Sequence, residues 1–305
     1  MPIGLKMRGL YRKVSPLRSW AQRNRRALRR VALWVSIAIL LSGLIISVQA
    51  QPNVLVGLDW RYLLLVALFG VPIMVVLNAV EFLLTGRLLG RSIGFIHALE
   101  ITVMGTAANM LPLPGGALVR VVGLTAAGAR LGHGVAASLL VFLVTIGMAA
   151  VYSGLCIGFL NGTWPGPTIA LFGSLLLLLS AVATMRVEDG FRVLGIIAAT
   201  RLGLVLLTAA RIYFCFCALG ISASFVQASG LSVSGVLSSF VPFVPAGLGV
   251  REWMAAALSP LVYLAMSAGF IVTFVNRLLT MTMVIPIAIF LNLRNGGGPG
   301  DATPT

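Results

Sequence analysis

The sequence predicts an all-α polytopic membrane protein, with about six crossing helices and two re-entrant hairpins arranged as an inverted repeat. Only 10% of the 305 residues are charged, whereas soluble domains usually carry about 25%. Residues 31–58, 135–185 and 212–250 contain no Asp, Glu, Lys or Arg, and a spanning helix needs only roughly 20 apolar residues. Two short strings rich in Pro and Gly interrupt this apolar sequence and resemble one another.

The N-terminal residues 1–30 predict a basic cytoplasmic arm. Ten of the 22 Lys and Arg residues fall in this segment, and the first acid of the chain is Asp59. A basic cluster directly before an apolar segment is typical of an anchor on anionic lipid headgroups. We therefore do not expect the net charge of +15 to serve nucleic-acid binding.

Six apolar segments predict the crossing helices, at about 31–50, 62–84, 135–160, 168–185, 194–219 and 258–292. If the two interrupted segments turn back without crossing, only Arg61 and Arg251 fall on the outer side. The arginines assigned to the inner side are Arg87, Arg91, Arg120, Arg130, Arg186, Arg192 and Arg294. The positive-inside rule then places both termini in the cytoplasm. Residues 31–293 form one transmembrane domain in this prediction, and residues 294–305 form a disordered tail.

The two interrupted segments predict the inverted repeat. They are re-entrant hairpins at about 98–118 and 233–250, and they contain the strings PLPGGALVR (112–120) and PFVPAGLGVR (242–251). At one separation of 131 residues, Pro114 matches Pro245, Gly116 matches Gly247, Val119 matches Val250 and Arg120 matches Arg251. Three crossings lie between the strings, so the second hairpin enters from the opposite face. Such repeats are typical of transporters.

The residue types in both strings suit a binding site within the membrane. Irregular backbone survives at that depth only when protein covers it or a wet cavity hydrates it. Proline ends a helix and glycine permits a tight turn, and the resulting half-helix ends can bind a charged group. The residues assigned to the hairpin backbone are Pro112, Pro114, Gly115, Gly116, Pro242, Pro245, Gly247 and Gly249. Under the alternative, Pro and Gly only kink packed helices and the arginines extend to the lipid headgroups.

Charged and polar side chains near these breaks are the candidate headgroup ligands. Arginine pairs with phosphate through two parallel hydrogen bonds, and an arginine inside a span is functional by default. The candidates are Arg120, Arg251, Glu252, Asn109, Arg211 and Arg277. We expect Glu252 to orient Arg251 and Glu81 to pair with Arg87. A misplaced span boundary, which would return Arg201 or Arg211 to the interface, is the alternative for the arginines.

No catalytic constellation can be assembled from the sequence. The chain has seven acids and two histidines, and they form no Ser-His-Asp set, metal-ligand group or phosphate loop. Cys156, Cys215 and Cys217 lie in apolar stretches as packing residues. We predict no enzyme activity, no metal and no cofactor. The enzyme alternative is an intramembrane lipid-modifying transferase that uses Glu81, Glu100 or Glu252 as a base.

Both strings resemble motifs of a known family. NMLPLPGGALVR (109–120) resembles the N-x-x-P-x-R-x-G-E-x-x-R signature of the transmembrane domain of bacterial lysylphosphatidylglycerol synthase/flippase proteins. PFVPAGLGVRE (242–252) resembles the P-x-x-x-G-G-L-G-V-R-E signature of that domain, with GLGVRE intact. The first string departs from the pattern, because Pro114 replaces the usual Arg and Ala117 the usual acid. In segment order the resemblance covers roughly residues 30–293.

The resemblance implies a stand-alone flippase-like transporter in the bacterial inner membrane, without the soluble synthase domain. Its cargo would be an anionic lipid or lipid-linked intermediate of phospholipid, glycolipid or isoprenoid type. The expected partners are membrane lipids with anionic headgroups, a second copy of the chain, and an enzyme of lipid or envelope-polymer synthesis. A non-catalytic membrane partner for such an enzyme is the remaining alternative.

Overall fold

A computed structural model describes residues 25–52, 57–109, 115–162, 164–185, 189–238 and 249–296. The ordered elements in these ranges are helices, and no strand occurs among them. The helices are α1 (Arg25–Ala50), α2 (Trp60–Leu88), α3 (Phe95–Ala108), α4 (Gly115–Ala126), α5 (Leu131–Asn161), α6 (Pro165–Thr184), α7 (Gly190–Ala218), α8 (Phe225–Leu231), α9 (Ser234–Leu237), α10 (Val250–Leu258) and α11 (Met266–Gly296). The predicted all-α class is confirmed.

Five helices of the described chain are long and apolar enough to cross a membrane, namely α2, α5, α6, α7 and α11. Helix α1 is 26 residues long, and its apolar part, Trp34–Ala50, is shorter than these five. The outer face of α6 shows why a membrane must surround the bundle: Leu171, Leu175 and Leu178 share one helix face and are 72%, 61% and 61% exposed. Apolar surface of this extent is stable only in lipid.

The described part of the predicted basic arm and of the predicted tail is helical. Within the described residues, α1 includes Arg25 and α11 includes Gly296. The remainder of the arm and of the tail lies outside the described residues. The crossing segments predicted at 62–84, 135–160, 168–185 and 194–219 match α2, α5, α6 and α7 within a few residues.

Helices α3 and α4 form the first predicted hairpin. They are antiparallel, because Gly116 lies against Gly105 near the break whereas Gly123 lies against Ile101 further away. The hairpin extends over 95–126 and is longer than the predicted 98–118, since the segment after Arg120 continues as helix. Pro112 and Pro114 lie outside the described residues.

The second hairpin consists of α8 and α9 before the break and α10 after it. Gly249, with φ of +81°, directly precedes α10, and this left-handed conformation favours glycine. Pro242, Pro245 and Gly247 lie outside the described residues.

The predicted final helix at 258–292 is wrong at its beginning. Helix α10 is followed by a 3-10 turn (Ser259–Val262), and Tyr263 then has φ of +58°. Pro260 lacks the amide hydrogen that a continuing helix needs, so α11 begins only at Met266. Helix α10 thus folds back antiparallel onto α11, with the rings of Trp253 and Phe270 5.6 Å apart.

The two halves of the chain share one helix–turn–helix design. In the first half, Gly90 N–H donates to the Arg87 carbonyl (2.9 Å) and Arg91 N–H to the Gly86 carbonyl (2.9 Å). At a separation of 130 residues, Gly220 N–H donates to the Cys217 carbonyl (3.1 Å) and Ile221 N–H to the Phe216 carbonyl (3.0 Å). Both glycines have positive φ, as this type of helix end requires. The helices that follow begin at equivalent residues, Phe95 and Phe225.

The corresponding helices α2 and α7 run in opposite directions. Glu81, near the end of α2, contacts Arg201 in the first half of α7. Tyr62, at the beginning of α2, stacks on Phe214 near the end of α7. Equivalent helices that are antiparallel make the repeat an inverted one, as the sequence predicts.

Helices α5 and α6 pack through glycines that permit close approach of their backbones. A Cβ atom at Gly154 would lie 2.5 Å from the amide nitrogen of Ala170 and 2.8 Å from the carbonyl oxygen of Gly166. Small residues at such contacts are what holds helices together in lipid, where van der Waals packing replaces the hydrophobic effect.

We expect Gly154→Val to destabilise the protein by roughly 1–3 kcal/mol, because the added side chain must push α6 away. The measurement is the thermal unfolding midpoint of the purified protein in detergent. Gly195→Val in α7 is the matched control, since a Cβ atom at Gly195 would meet nothing within 4 Å. Equal midpoints for the two variants would contradict the packing described here.

Candidate functional site

A fully buried carboxylate on α2 binds two arginines from other helices. Arg120 of α4 donates from Nη1 to Oε1 of Glu81 (2.7 Å), and Arg201 of α7 contacts the other carboxylate oxygen through Nε. Arg120 also reaches the side-chain oxygen of Asn78 (3.5 Å). We call Glu81, Arg120, Arg201 and Asn78 the Glu81 cluster.

One prediction about this region is wrong. Glu81 does not pair with Arg87, which is exposed near the end of α2. The two residues are six positions apart, which puts their side chains on different faces of the helix, whereas neighbours on a face are three or four positions apart. Arg120, which was assigned to the inner side of the membrane, lies within α4 and pairs with Glu81.

A second charged cluster surrounds Glu252 of α10. Arg277 of α11 donates from Nη1 to Oε1 of the fully buried Glu252 (3.3 Å). Glu252 was expected to orient Arg251, but its ion pair is with Arg277. Consecutive residues on a helix point in different directions, which leaves the Glu252 side chain turned towards α11.

Arg211 and Arg251 complete this second group. Arg211 donates to the Thr280 hydroxyl, to the Asn276 carbonyl (3.4 Å) and to the sulfur of Met74 (3.0 Å). The charge of Arg251 acts on Arg211 and Arg277 by repulsion and on Glu252 by attraction. We call Arg211, Arg251, Glu252, Asn276, Arg277 and Thr280 the Glu252 cluster.

Local backbone features make room for these arginines. Helix α2 contains a π-helical turn (Val66–Gly70), and the Arg211 side chain passes over its last residue. A Cβ atom at Gly70 would lie 2.8 Å from Cγ of Arg211. In the second hairpin, a Cβ atom at Gly235 of α9 would lie 3.3 Å from Cζ of Arg251. Single π-turns within α-helices are frequent at functional sites.

One turn of α2 joins the two clusters. Asn78 accepts from Arg120 and donates from its amide nitrogen to the Met74 carbonyl (2.8 Å), and Met74 accepts from Arg211. Of the predicted ligands, the structure therefore groups Arg211, Arg251, Glu252 and Arg277, while Arg120 belongs to the neighbouring cluster.

The two clusters carry excess positive charge. They contain five arginines and two glutamates, and both glutamates are fully buried. Buried charge without a counter-ion is costly in a membrane. Several buried polar atoms of the Glu252 cluster also have no hydrogen-bond partner among the described residues: Nε of Arg211 and Arg251, Oε2 of Glu252 and Oδ1 of Asn276. Buried polar atoms normally find a partner, and the two donors among these atoms, Nε of Arg211 and Nε of Arg251, are suited to an anionic ligand.

Asn109 has a structural position, away from both clusters. Its side-chain oxygen accepts from the Gly116 N–H (3.0 Å) and so joins the two limbs of the first hairpin. A Cβ atom at Gly116 would overlap the Asn109 side chain, and one at Gly115 would lie 2.7 Å from Cβ of Ala108. The first hairpin therefore needs Asn109, Gly115 and Gly116 for its close turn.

Sequence reasoning missed Arg201 and Asn78 as site residues and treated Glu81 only as a candidate base. The signal was present: an acid within an apolar span requires a buried cation. Arg201 was the nearest basic residue in another span, but its partner is 120 positions away in sequence. Helix packing, which the sequence alone does not specify, decides that pairing.

An apolar cleft lies beside the Glu252 cluster. Its volume is about 210 Å³, and it is lined by α5, α6 and α9, including Ile146, Phe172, Val236 and Leu237. Helix α9 separates the cleft from the Arg251 guanidinium, because Gly235 on the same short helix faces Arg251. A charged site and an apolar cleft on two sides of one helical turn suit an amphiphilic ligand.

Comparisons with known proteins do not name the ligand. No protein-family model matches the chain, and no curated protein matches it. Across the part of the chain that the structure describes, no group of three or more His, Cys, Asp or Glu side chains could hold a metal ion. The candidate site is therefore defined by its buried arginines alone.

Proposed function

We propose that this chain is a flippase-like transporter that moves an anionic lipid, or a lipid-linked intermediate, across the membrane. The observation that carries the proposal is the buried excess of arginine in the Glu252 cluster, together with its unpartnered polar atoms. A phosphate group would supply the missing negative charge and accept charge-assisted hydrogen bonds. The inverted repeat supports the same proposal, because alternating access in many transporters uses two inverted halves.

The proposed movement follows from the contacts between the halves. Helix α2 of the first half holds Arg211 of the second through Met74, and Glu81 of the first half holds Arg201 of the second. A headgroup that binds Arg211 would compete with Met74 for the Arg211 guanidinium and so loosen this contact between the halves. Rocking of one half against the other would then expose the headgroup to the opposite side.

The family resemblance enters this proposal as support from sequence. The intact GLGVRE string places Arg251 and Glu252 at the beginning of α10, next to Gly249. We propose that the chain is a relative of the lysylphosphatidylglycerol synthase/flippase transmembrane domain. In the transferase alternative, two of its three candidate bases, Glu81 and Glu252, are already engaged in ion pairs with arginines, and only Glu100 is not.

Reconstitution of the purified full chain in liposomes tests the proposed function. The liposomes contain fluorescent phospholipids with choline or glycerol headgroups, and a membrane-impermeant quencher reports lipid movement between leaflets. We expect accelerated movement of the anionic lipid and no new lipid product by chromatography. Product formation would favour a transferase, and the absence of both would favour a non-catalytic membrane partner.

We also propose that the chain lies in a bacterial inner membrane with both termini in the cytoplasm. Single cysteines can be placed at Ala126, at the exposed end of α4, and at Gly57, where a Cβ atom meets nothing within 4 Å. The background replaces Cys156, Cys215 and Cys217, which are free thiols. In intact cells an impermeant maleimide should label Gly57→Cys and leave Ala126→Cys unlabelled. The reverse pattern would invert the topology.

A further inference from the structure

We propose that the Glu252 cluster selects a lipid phosphate with two or more negative charges, such as a phosphomonoester or a diphosphate, over a singly charged phosphodiester. This inference rests on the proposed function and names the headgroup class that the site would bind. Three observations support it: the charge balance of the Glu252 cluster, the unpartnered donors of its arginines, and the adjacent apolar cleft.

The charge balance of the Glu252 cluster leaves two positive charges uncompensated. The cluster contains three arginines and one carboxylate, and Glu252 pairs with Arg277, so Arg211 and Arg251 have no ion pair among the described residues. Two positive charges in a low-dielectric interior are neutralised by a group with two negative charges and only half neutralised by a phosphodiester. A terminal phosphate carries about −1.5 to −2 at neutral pH.

The Glu81 cluster balances its positive charges more fully than the Glu252 cluster does. Both oxygens of Glu81 are occupied by arginines, and Arg120 also reaches Asn78. The side chain of Arg120 is 24% exposed, whereas that of Arg277 in the Glu252 cluster is 9% exposed. The Glu81 cluster thus satisfies its own charges more fully, and the anion site lies at the Glu252 cluster.

The donors of the Glu252 cluster match a terminal phosphate. Nε of Arg211 and Nε of Arg251 are buried without a hydrogen-bond partner among the described residues. Each Nε–H forms one arm of the planar guanidinium fork that binds two oxygens together. A terminal phosphate offers three non-bridging oxygens to these forks, one more than a phosphodiester, and it carries the larger negative charge.

The apolar cleft argues that the phosphate is carried by a lipid. The cleft and the Arg251 guanidinium lie on two sides of α9, so a chain in the cleft and a phosphate at the arginines can belong to one molecule. An inorganic anion would make no favourable contact with a cleft lined by the apolar side chains of Ile146, Phe172 and Leu237.

The test compares two lipids with identical tails, dioleoyl phosphatidic acid and dioleoyl phosphatidylglycerol. Their affinities for the purified full chain are measured by titration in nanodiscs of a choline phospholipid at pH 8, with inorganic phosphate and diphosphate as separate ligands. We expect phosphatidic acid to bind at least about tenfold more tightly than phosphatidylglycerol, which corresponds to about 1.4 kcal/mol. Inorganic diphosphate should bind more weakly than the lipid.

Variants test whether the preference for phosphatidic acid arises from the Glu252 cluster. Arg211→Gln and Arg251→Gln should each bring the affinity ratio of the two lipids close to one, while Arg192→Gln, at an exposed arginine of α7, should leave it unchanged. Equal binding of both lipids to the wild type would overturn the inference and leave lipid binding, and thus the proposed function, intact. Equal affinities for inorganic diphosphate and for phosphatidic acid would overturn the part of the inference that assigns the phosphate to a lipid. Failure of every lipid to bind would count against the proposed function as well.

Discussion

The Glu81→Ala variant should yield little folded protein. Glu81 is fully buried, and its two oxygens hold Arg120 and Arg201 from two other helices. Removing one partner of a buried ion pair typically costs about 3–5 kcal/mol, because the remaining charge stays buried without a counter-ion. Here two arginines lose their counter-ion together, so α4 and α7 both lose their ion pair with α2. The measurement is the monodisperse fraction and the thermal midpoint of the purified protein.

Two controls separate this effect from a general sensitivity to loss of an acid. Glu100→Ala removes a partly exposed carboxylate of α3 whose nearest partner is His97 (3.8 Å), and it should leave the yield unchanged. Glu81→Ala combined with Arg201→Met should recover part of the yield, because one of the two arginines is then gone and Arg120 keeps Asn78. If Glu81→Ala were as stable as Glu100→Ala, the Glu81 cluster would not hold the helices together.

Arg251→Ala should abolish most lipid movement in proteoliposomes while the folded yield stays near that of the wild type. Arg251 has a buried, unpartnered Nε and no ion pair among the described residues, so its removal breaks no observed pair. Loss of a charge-assisted hydrogen bond is worth about 1.5–3 kcal/mol, so we expect roughly a tenfold to hundredfold lower rate. Arg251→Lys keeps the charge but loses the planar fork, and we expect an intermediate rate.

The lysine variant also distinguishes headgroup binding by Arg251 from the alternative in which this arginine only extends to the headgroup layer. Lysine reaches an interface as well as arginine does, so that alternative predicts wild-type movement for Arg251→Lys. Arg192→Ala, an exposed arginine near the beginning of α7, is the matched control for loss of charge. Full activity of both Arg251 variants would contradict a role for Arg251 in headgroup binding.

The helices and the inverted repeat could be predicted from the sequence because their signals are local. Long apolar runs specify α2, α5, α6 and α7, and the repeated strings mark equivalent positions in the two halves. The structure adds the Leu89–Gly90 and Leu219–Gly220 turns, whose matching hydrogen bonds support the repeat outside those strings. Local chemistry also explains the misplaced beginning of α11, where the effect of Pro260 was overlooked.

The partners of the buried charges could not be predicted, because they depend on which helix faces pack together. Glu81 and Arg87 are close in sequence but lie on different faces of α2, whereas Arg120 and Arg201 arrive from α4 and α7. The same reason separates Arg120 from Arg251: matching positions in an inverted repeat lie in different halves, and Arg120 pairs with Glu81 whereas Arg251 lies near Glu252. Arg211 and Arg277 were recognised from their position within spans, and both are buried.

The most direct measurement is mass spectrometry of the lipids that copurify with the wild-type chain and with Arg251→Ala from the same membranes. If the Glu252 cluster binds an anionic lipid headgroup, one class of lipid phosphate should be enriched in the wild-type sample relative to the bulk membrane extract. That enrichment should be lost in Arg251→Ala and kept in Arg192→Ala. A wild-type lipid profile that equals the bulk membrane, or an enrichment that survives in Arg251→Ala, would contradict headgroup binding at this cluster.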